Sequence, residues 1–188
     1  PNEYKSIRSD GSQFDIEVKG GSIRDKDGQI TKLVYIARDI TERKKAEQQL
    51  IRSENEFRAV WENSASGLRL TDQNGRIIRV NEAYCRIYGK TQEELTGATI
   101  ASVYPVGDSE RKIQKHKERF KKRMIDSYVE KEVLLWNGER KWVQVENSFL
   151  EGDRPLLLGV FTEITQRKLA EEKIRHLSRL YALTGQVN

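Results

Sequence analysis

Residues with reactive side chains are few in this chain: among 188 residues there is one cysteine, Cys85, and two histidines, His116 and His176. A disulfide needs a second cysteine, and a structural zinc site usually takes about four cysteine or histidine ligands. A catalytic triad needs a nucleophile, a base and a group that orients the base, and this composition offers few residues for those roles. The chain also lacks a GxxxxGK[ST] loop and a GxGxxG turn for nucleotide phosphates. These absences predict a non-catalytic fragment without a metal site.

The composition is that of a folded chain. Lys and Arg total 34 against 29 Asp and Glu, the formal net charge is +5, and 36% of the residues are hydrophobic. This hydrophobic share can build the core of one domain or of two small ones. No apolar run approaches the ~20 residues of a membrane span, and the N-terminus has no apolar signal core. We therefore expect a cytoplasmic protein without membrane contact, and the start at Pro1 suggests a piece of a longer chain.

An internal repeat divides the sequence. The segment RDITERKKAEQQL at 38–50 returns as TEITQRKLAEEKI at 162–174, so that Ile40 matches Ile164, 124 residues further on. This period is the length of a small domain and not of a solenoid unit. The repeat predicts four parts, which are the last three strands of a first unit at 1–41, a linker helix at 42–60, a complete unit at 61–165 and an exit helix at 166–188.

Hairpin and capping signals give the coarse structure. Asx-Gly pairs, the strongest short hairpin signal, occur at Asp10-Gly11, Asp27-Gly28, Asn74-Gly75 and Asn137-Gly138. We predict strands near 3–8, 13–22, 31–38, 67–72, 76–81, 128–136, 140–150 and 155–163. Between the second and third strands of the complete unit, Asn81 and Gly89 should cap one helix, Thr91 and Glu94 should form a capping box, and a longer helix should run from about Asp108 to Met124. Helices on one face of an antiparallel sheet make the fold class α+β.

A threonine opens the helix after each copy of the repeat. The hydroxyls of Thr41 and Thr165 could accept hydrogen bonds from the free N–H groups of the first turn. Apolar or small residues then follow at a/d spacing: Ala46, Leu50, Ser53, Phe57 and Val60 in one helix, and Ala170, Ile174, Leu177, Tyr181 and Thr184 in the other. Each seam is about two heptads long, too short to be stable alone. We therefore expect these helices to pack on a domain or to form a coiled coil in a homodimer.

Three segments together carry a family resemblance. VNEAYCRIYGKTQEELTG at 80–97, NGERKWVQV at 137–145 and EITQRK at 163–168 resemble a PAS domain, or sensory box, with its C-terminal PAC motif. RDITERK at 38–44 is similar to the exit motif of a preceding PAS domain. The resemblance implies a five-stranded antiparallel sheet with helices on one face, flanked by amphipathic linker helices.

The same resemblance implies a function. PAS domains of bacterial signal-transduction proteins dimerise through flanking helices and pass a signal to an output domain, here a histidine kinase of a two-component system or a diguanylate cyclase. In the family, the Asp of the D-I-T motif ties the last strand to the exit helix. Asp39 and Thr41 fit this pattern, whereas the second copy has Glu163 before Thr165, one methylene longer. These four residues are the predicted signal-transfer residues.

His116 is the candidate ligand for a cofactor, whose presence the sequence leaves unknown, and Cys85 is the other residue to weigh. His116 lies at the edge of the inward face of the long helix, and haem-binding PAS relatives carry an axial histidine on the corresponding helix. A surface histidine in a charged run is the favoured alternative. Cys85 lacks the sequence context of a photoactive flavin cysteine and is interpreted as a small buried residue. The second functional hypothesis is accordingly a haem- or flavin-dependent redox or gas sensor.

Two features of the sequence, a basic run on the long helix and Trp142, bear on possible binding partners. The run from Arg111 to Arg123 has eight Lys or Arg and one Glu. Its cations lie around the helix outside the apolar stripe of Ile113 and Phe120, and no aromatic platform for base stacking is interleaved with them. We therefore interpret the run as a solvated outer face and expect no nucleic-acid partner. Trp142 should lie on the outer face of the sheet, where a linker helix or a second chain would cover it. A lone surface tryptophan is the alternative.

A pocket for a small molecule of unknown identity would lie between the helices and the inner face of the sheet. Its candidate lining residues are Leu70, Ile77, Tyr84, Tyr88, Ile113, Phe120, Val143 and Val145. The same residues could equally form a solid core, because periodicity does not separate the two. In 1–40, by contrast, the strands have no helices to cover their apolar side, which comprises Ile7, Ile16, Val18, Val34 and Ile36.

Overall fold

The computed structural model describes residues 2–184, without the side chains of Asp108 and of residues 180–184. The chain divides into two compact units, Pro1–Ala59 and Val60–Asn188. The division falls near the end of the linker helix that the sequence predicts at 42–60.

The first unit is an antiparallel ribbon followed by a helix. Strands β1 (Asn2–Ile7), β2 (Gln13–Arg24) and β3 (Ile30–Asp39) pair in the order β1-β2-β3, and helix α1 (Thr41–Glu62) follows. Many large apolar side chains of the ribbon are exposed: Tyr4, Ile7, Ile23, Ile30, Leu33, Val34, Tyr35 and Ile36. Ile16 and Val18 are half-buried. The expected lack of a helical cover is thus observed for most of this side within the described residues.

The second unit contains a five-stranded antiparallel sheet. Its strands are β4 (Gly67–Thr71), β5 (Ile77–Val80), β6 (Tyr128–Leu134), β7 (Arg140–Leu150) and β8 (Leu156–Glu163), in the order β5-β4-β8-β7-β6. Helices α2 (Glu82–Tyr88), α3 (Gln92–Leu95) and α4 (Ser109–Lys121) and two 3₁₀ turns (Ile100–Val103 and Val106–Asp108) connect β5 to β6, and α5 (Thr165–Thr184) follows β8. The predicted α+β class is confirmed.

Local signals placed these elements correctly. The glycine of each Asx-Gly pair has positive φ, between 77° at Gly75 and 85° at Gly11 and Gly138, a backbone conformation that glycine adopts without a Cβ clash. Asn81 caps α2 and Gly89 closes it in the left-handed conformation. Thr91 and Glu94 form both bonds of the capping box at α3.

The end of α4 differs from the sequence prediction. The helix ends at Lys121, and Arg123 adopts a φ of 56°. The N–H of Met124 then bonds back to the carbonyl of Arg119 at 2.9 Å, which is the pattern of a Schellman closure with arginine in place of the usual glycine. Met124 therefore leaves the helix and is exposed. The predicted helix end at Met124 is thus corrected to Lys121.

The core lies between the sheet and α2, α3 and the first 3₁₀ turn. Its centre is a cluster of three rings, in which Phe161 meets Tyr84 and Tyr88 edge-on at centroid distances of 4.9 and 5.9 Å. Gly159 makes room for this arrangement, because a Cβ there would lie 2.6 Å from the Phe161 ring. Around the rings pack Ile77, Val80, Cys85, Ile87, Leu95, Val103, Val133, Leu135, Val143 and Val145.

Candidate functional site

A cavity of about 440 Å³ opens beside the core of the second unit. α4 and the segment after it form one wall, and the inner faces of the sheet strands form the other. The lining residues are Arg69, Ile100, Tyr104, Arg111, Lys112, Lys115, His116, Arg119, Ile125, Asp126, Val129, Lys131, Val145, Asn147, Leu157 and Phe161. The volume suits a small organic molecule.

Most of the predicted pocket residues form the solid core and do not line this cavity. Only Val145 of the eight candidates lines it. Ile77, Tyr84, Tyr88 and Val143 are fully buried in the core cluster.

The remaining three candidates lie elsewhere. Phe120 is buried against Phe149, with ring centroids 5.1 Å apart, and Ile113 is half-buried on α4. Leu70 is a correction, because the burial pattern of β4 turns residues 67, 69 and 71 inward and alternation then places Leu70 on the outer face.

Arg69 occupies the inward position that the sequence prediction missed. Its side chain is 8% exposed, and one terminal nitrogen, Nη1, donates to the hydroxyl of Tyr84 at 3.1 Å. The guanidinium carbon lies 4.7 Å from the centroid of Phe161. The Nε atom is buried and has no hydrogen-bond partner in the described part of the chain. The indication in the sequence was that alternation along the strand places Arg69 on the same face as Gly67 and Thr71.

His116 borders the same cavity. It is 9% exposed, and its Nε2 atom lies 3.0 Å from the carbonyl oxygen of Asp72, to which it donates. Burial lowers the pKa of His116 below its usual range, which favours the neutral ring. The surface-histidine interpretation is corrected. The bond to Asp72 also takes the ring nitrogen that would bind iron, so the observed geometry does not fit an axial haem ligand.

Cys85 is buried in the core. Burial raises the pKa of its thiol to about 11, which leaves little thiolate at neutral pH. This placement agrees with a packing role. Among the residues whose side chains the structure describes, no cluster of three or more potential metal ligands is found.

The basic run on α4 is only partly a solvated outer face. Arg111, Lys112, Lys115 and Arg119 line the mouth of the cavity, and Lys112 lies 4.2 Å from the ring centroid of Tyr104. The interpretation as a solvated outer face is corrected for these four residues, which contribute basic side chains to the cavity lining.

A carboxylate on β6 binds the first turn of α5, and we call this group of residues the exit clamp. Glu130 accepts from Arg167 at 2.7 Å and pairs with Lys168 at 2.7 Å, and Tyr128 donates to it at 2.6 Å. Bonds from Lys168, Tyr128 and Arg167 lower the pKa of Glu130 to about 2. The carboxylate therefore stays ionised at physiological pH.

The first unit has the same clamp at equivalent positions. Glu3 on β1 pairs with Arg43 at 3.0 Å and with Lys44 at 2.8 Å. The bond from Lys44 is the main cause that lowers the pKa of Glu3. Because two copies with different surroundings preserve the same contacts, the clamp is a property of the repeat.

The signal-transfer threonines bond to a strand, and this corrects the expected cap on the helix. The hydroxyl of Thr41 accepts from the N–H of Asp15 at 3.0 Å, and that of Thr165 accepts from the N–H of Trp142 at 3.1 Å. Each threonine thus bonds the start of its helix to the strand before the last one, which is β2 for α1 and β7 for α5.

The acidic residue of the exit motif differs between the copies. Asp39 accepts from the backbone N–H of Thr41 at 2.9 Å and also pairs with Arg8. Bonds from Thr41 and Arg8 lower its pKa to about 2. Glu163 is longer and accepts instead from the Thr165 hydroxyl at 3.1 Å, and it pairs with Lys141 at 3.3 Å.

Trp142 lies on the outer face of the sheet, since Val143 and Val145 are buried on the inner face. The Nζ atom of Lys168, in the first turn of α5, lies 5.4 Å from the centroid of the indole ring. The exit helix of the same chain therefore contacts this tryptophan.

The predicted seam residues are exposed on both helices. Leu50 and Phe57 on α1 are 69% and 49% exposed, and Ile174 and Leu177 on α5 are 65% and 53% exposed. The side chain of Tyr181 lies outside the described residues. None of the helices described in residues 2–184 has the length and apolar character needed to cross a bilayer.

The second unit thus combines a helix-covered antiparallel sheet, a cavity beside its core and a helix bound to the sheet at its start. In a comparison with protein families, residues 61–169 match the model described as PAS fold, and residues 1–42 match the one described as PAS domain. The chain belongs to the PAS-domain family.

Similar proteins are signalling enzymes of much greater length. The chain is 30% identical over 133 residues to the sensor histidine kinase TmoS of Ectopseudomonas mendocina, covering 69% of this chain and 14% of that protein. It is 26% identical over 144 residues to sporulation kinase E of Bacillus subtilis (74% and 18%). It is 25% identical over 137 residues to the probable diguanylate cyclase DgcE of Escherichia coli (71% and 12%). The chain thus spans less than a fifth of each of these relatives.

Among solved structures, the PAS domain of an HTR-like protein from Haloarcula marismortui is similar with a TM-score of 0.52 and 22% sequence identity. The match covers 64% of this chain and 99% of that one. This similarity supports the fold. The PAS family and the relatives together support a role as a sensor in signal transduction.

Proposed function

We propose that residues 61–165 form a non-catalytic, ligand-responsive sensory module. The cavity receives the signal, and the exit helix at 166–188 transmits it to an output domain. By similarity to the relatives, that domain is a histidine kinase or a diguanylate cyclase.

The observation that carries this proposal is the double role of β6. Successive side chains of a strand point to opposite faces of the sheet. Val129 and Lys131 face inward and line the cavity, while Glu130 between them holds Arg167 and Lys168 on the other face. A ligand that displaces β6 would therefore act directly on the start of α5.

The first unit supports a serial arrangement. Its ribbon, at 1–41, makes the same clamp contacts through Glu3, Arg43 and Lys44, and the linker helix at 42–60 follows. We propose that each helix receives its input from the ribbon before it. The duplicated contacts favour a common mechanism over two unrelated ones.

We further propose that the module is a homodimer held together by its helices. The apolar seam residues of α1 and α5 are exposed in the single chain, and exposed a/d residues are the usual contact surface of paired helices. Two packings of such a pair can differ by a few kcal/mol, which is enough for a switch.

Replacing Glu130 with glutamine should loosen the start of α5. Gln keeps the size of the side chain but removes the charge that pairs with Arg167 and Lys168. We expect amide hydrogen exchange at residues 168–172 to become about tenfold faster, because local opening loses its main constraint. Exchange measured by mass spectrometry or NMR on the 188-residue chain would show this.

Glu132 provides the matched control. It lies on the same strand and the same face but pairs with Arg140, so Glu132→Gln should leave α5 unchanged. The first turn of α1, which relies on Glu3, should also be unaffected by Glu130→Gln. Equal exchange rates in the two variants would contradict the clamp.

A further inference from the structure

We propose that the cavity of the second unit binds a small organic carboxylate and that the buried guanidinium of Arg69 pairs with the carboxylate group. This inference rests on the proposed sensory function and names the chemical class of its ligand. No property of the exit helix enters the argument for it.

The first step is the charge of Arg69 in its buried position. Arginine stays protonated in proteins, and a buried charge is unfavourable unless it is paired. Arg69 is 8% exposed, yet the described residues provide no carboxylate to pair with it. Its one hydrogen-bond partner there is the neutral hydroxyl of Tyr84.

The second step is the set of donors that Arg69 leaves without a partner in the described part of the chain. Phe161 and Tyr84 contact the guanidinium through their rings, at 4.7 and 5.7 Å from the centroids. Such contacts stabilise the positive charge but accept no N–H bond in the guanidinium plane. Because Nη1 bonds to Tyr84 while Nε has no partner in the described part of the chain, the edge formed by Nε and Nη2 remains for a ligand. That edge matches a carboxylate with two parallel bonds.

The third step is the shape and chemistry of the rest of the cavity. Its volume of about 440 Å³ holds more than a bare ion. The apolar and aromatic part of its wall consists of Ile100, Tyr104, Ile125, Val129, Val145 and Leu157. An apolar body attached to the carboxylate would fill this space. A multiply charged phosphate would instead need several buried cations. Among the described lining residues, Arg69 is the one buried side chain that carries a permanent positive charge.

The fourth step is the charge at the entrance. Arg111, Lys112, Lys115, Arg119 and Lys131 are among the lining residues. The one lining carboxylate, Asp126, bonds to Arg119 at 2.6 Å. A cleft lined mainly by one sign of charge raises the local concentration of oppositely charged ligands, so the entrance favours anions.

The test compares matched acids and amides as probes. We expect octanoate and benzoate to bind the 188-residue chain at least about tenfold more tightly than octanamide and benzamide, as measured by calorimetry. Arg69→Met should weaken carboxylate binding about thirtyfold or more, since it removes the charge and keeps an apolar side chain of similar length. Lys131→Gln, at the entrance, should weaken it by less than about threefold.

The stability of the free variant separates a ligand-binding role from a structural one. Because the buried charge lacks an internal partner, Arg69→Met without ligand should be as stable as the wild type or more stable. Equal binding of acid and amide, unchanged binding by Arg69→Met, or inorganic phosphate binding as tightly as the acids would overturn the inference. So would an absence of binding together with a destabilised Arg69→Met. None of these results bears on α5 exchange in Glu130→Gln, so the proposed relay is tested independently.

Discussion

Asn81→Ala is expected to lower the free energy of unfolding of the second unit by about 3–5 kcal/mol. The Asn81 side chain is fully buried. It accepts from the N–H groups of Leu68 at 2.8 Å and Tyr84 at 2.9 Å, and it donates to the carbonyls of Trp61 and Ser66, both at 3.0 Å. In the alanine variant these four backbone groups lose the side-chain amide as their hydrogen-bond partner. Leaving buried polar groups unpaired lowers the stability of the folded state.

Asn137→Ala is the matched control for this effect. Asn137 is exposed in a hairpin turn and accepts one bond, from the N–H of Glu139 at 3.0 Å, so its loss should cost less than about 1 kcal/mol. Urea unfolding followed by tryptophan fluorescence measures both variants. If Asn81→Ala costs no more than Asn137→Ala, the side chain does not organise the link between the end of α1, β4 and α2.

Dimer formation should depend on the seam of α5. Replacing both Ile174 and Leu177 with serine removes two exposed apolar side chains per protomer. If these side chains are buried between two chains, their loss should raise the dimer dissociation constant at least about 100-fold. Sedimentation velocity over a range of protein concentrations would measure the constant.

The control replaces both Glu172 and Lys173 with serine. These neighbouring residues lie outside the a/d seam, and the double change leaves the net charge the same. It should alter the dissociation constant by less than about threefold. A wild-type chain that remains monomeric at high concentration, or seam and control variants with equal constants, would count against helix-mediated dimerisation.

The features that the sequence predicted correctly depend on neighbouring residues. A turn such as Asn137-Gly138 needs positive φ at its glycine, and α2 needs a capping side chain at Asn81 and a left-handed residue at Gly89. Each requirement is met within a few residues, so the order of strands and helices follows from local pattern. The internal repeat also predicted where the linker helix and the exit helix begin.

The inward face of β4 was predicted wrongly for a physical reason. Leu68 and Leu70 alternate with Arg69 and Thr71, and hydrophobicity alone turns the leucines toward the core. The structure buries Arg69 and Thr71, while the leucines are half-buried on the outer face. The residues that surround a buried arginine, such as Phe161 next to the Arg69 guanidinium, are distant in sequence and are not visible from spacing.

The exit clamp was missed because it joins residues far apart in the chain. Glu130 and Arg167 are 37 positions apart. The repeat contained the necessary signal, since Glu3 and Glu130 are separated by the same 127 residues as Gly11 and Gly138, and each is followed by an Arg-Lys pair in the exit motif. Two glutamates at equivalent positions, each with the same basic pair, would have indicated the contact.

The relay through β6 is tested most directly by a double-mutant cycle on the exit helix. Val129→Phe fills part of the cavity from the inner face of β6, next to Glu130. We expect it to change hydrogen exchange at residues 168–172 by at least about threefold in the wild-type background, and to have little effect once Glu130 is glutamine, because coupled residues give non-additive effects. An unchanged exit helix in Val129→Phe, or an equal change with and without Glu130, would contradict the account.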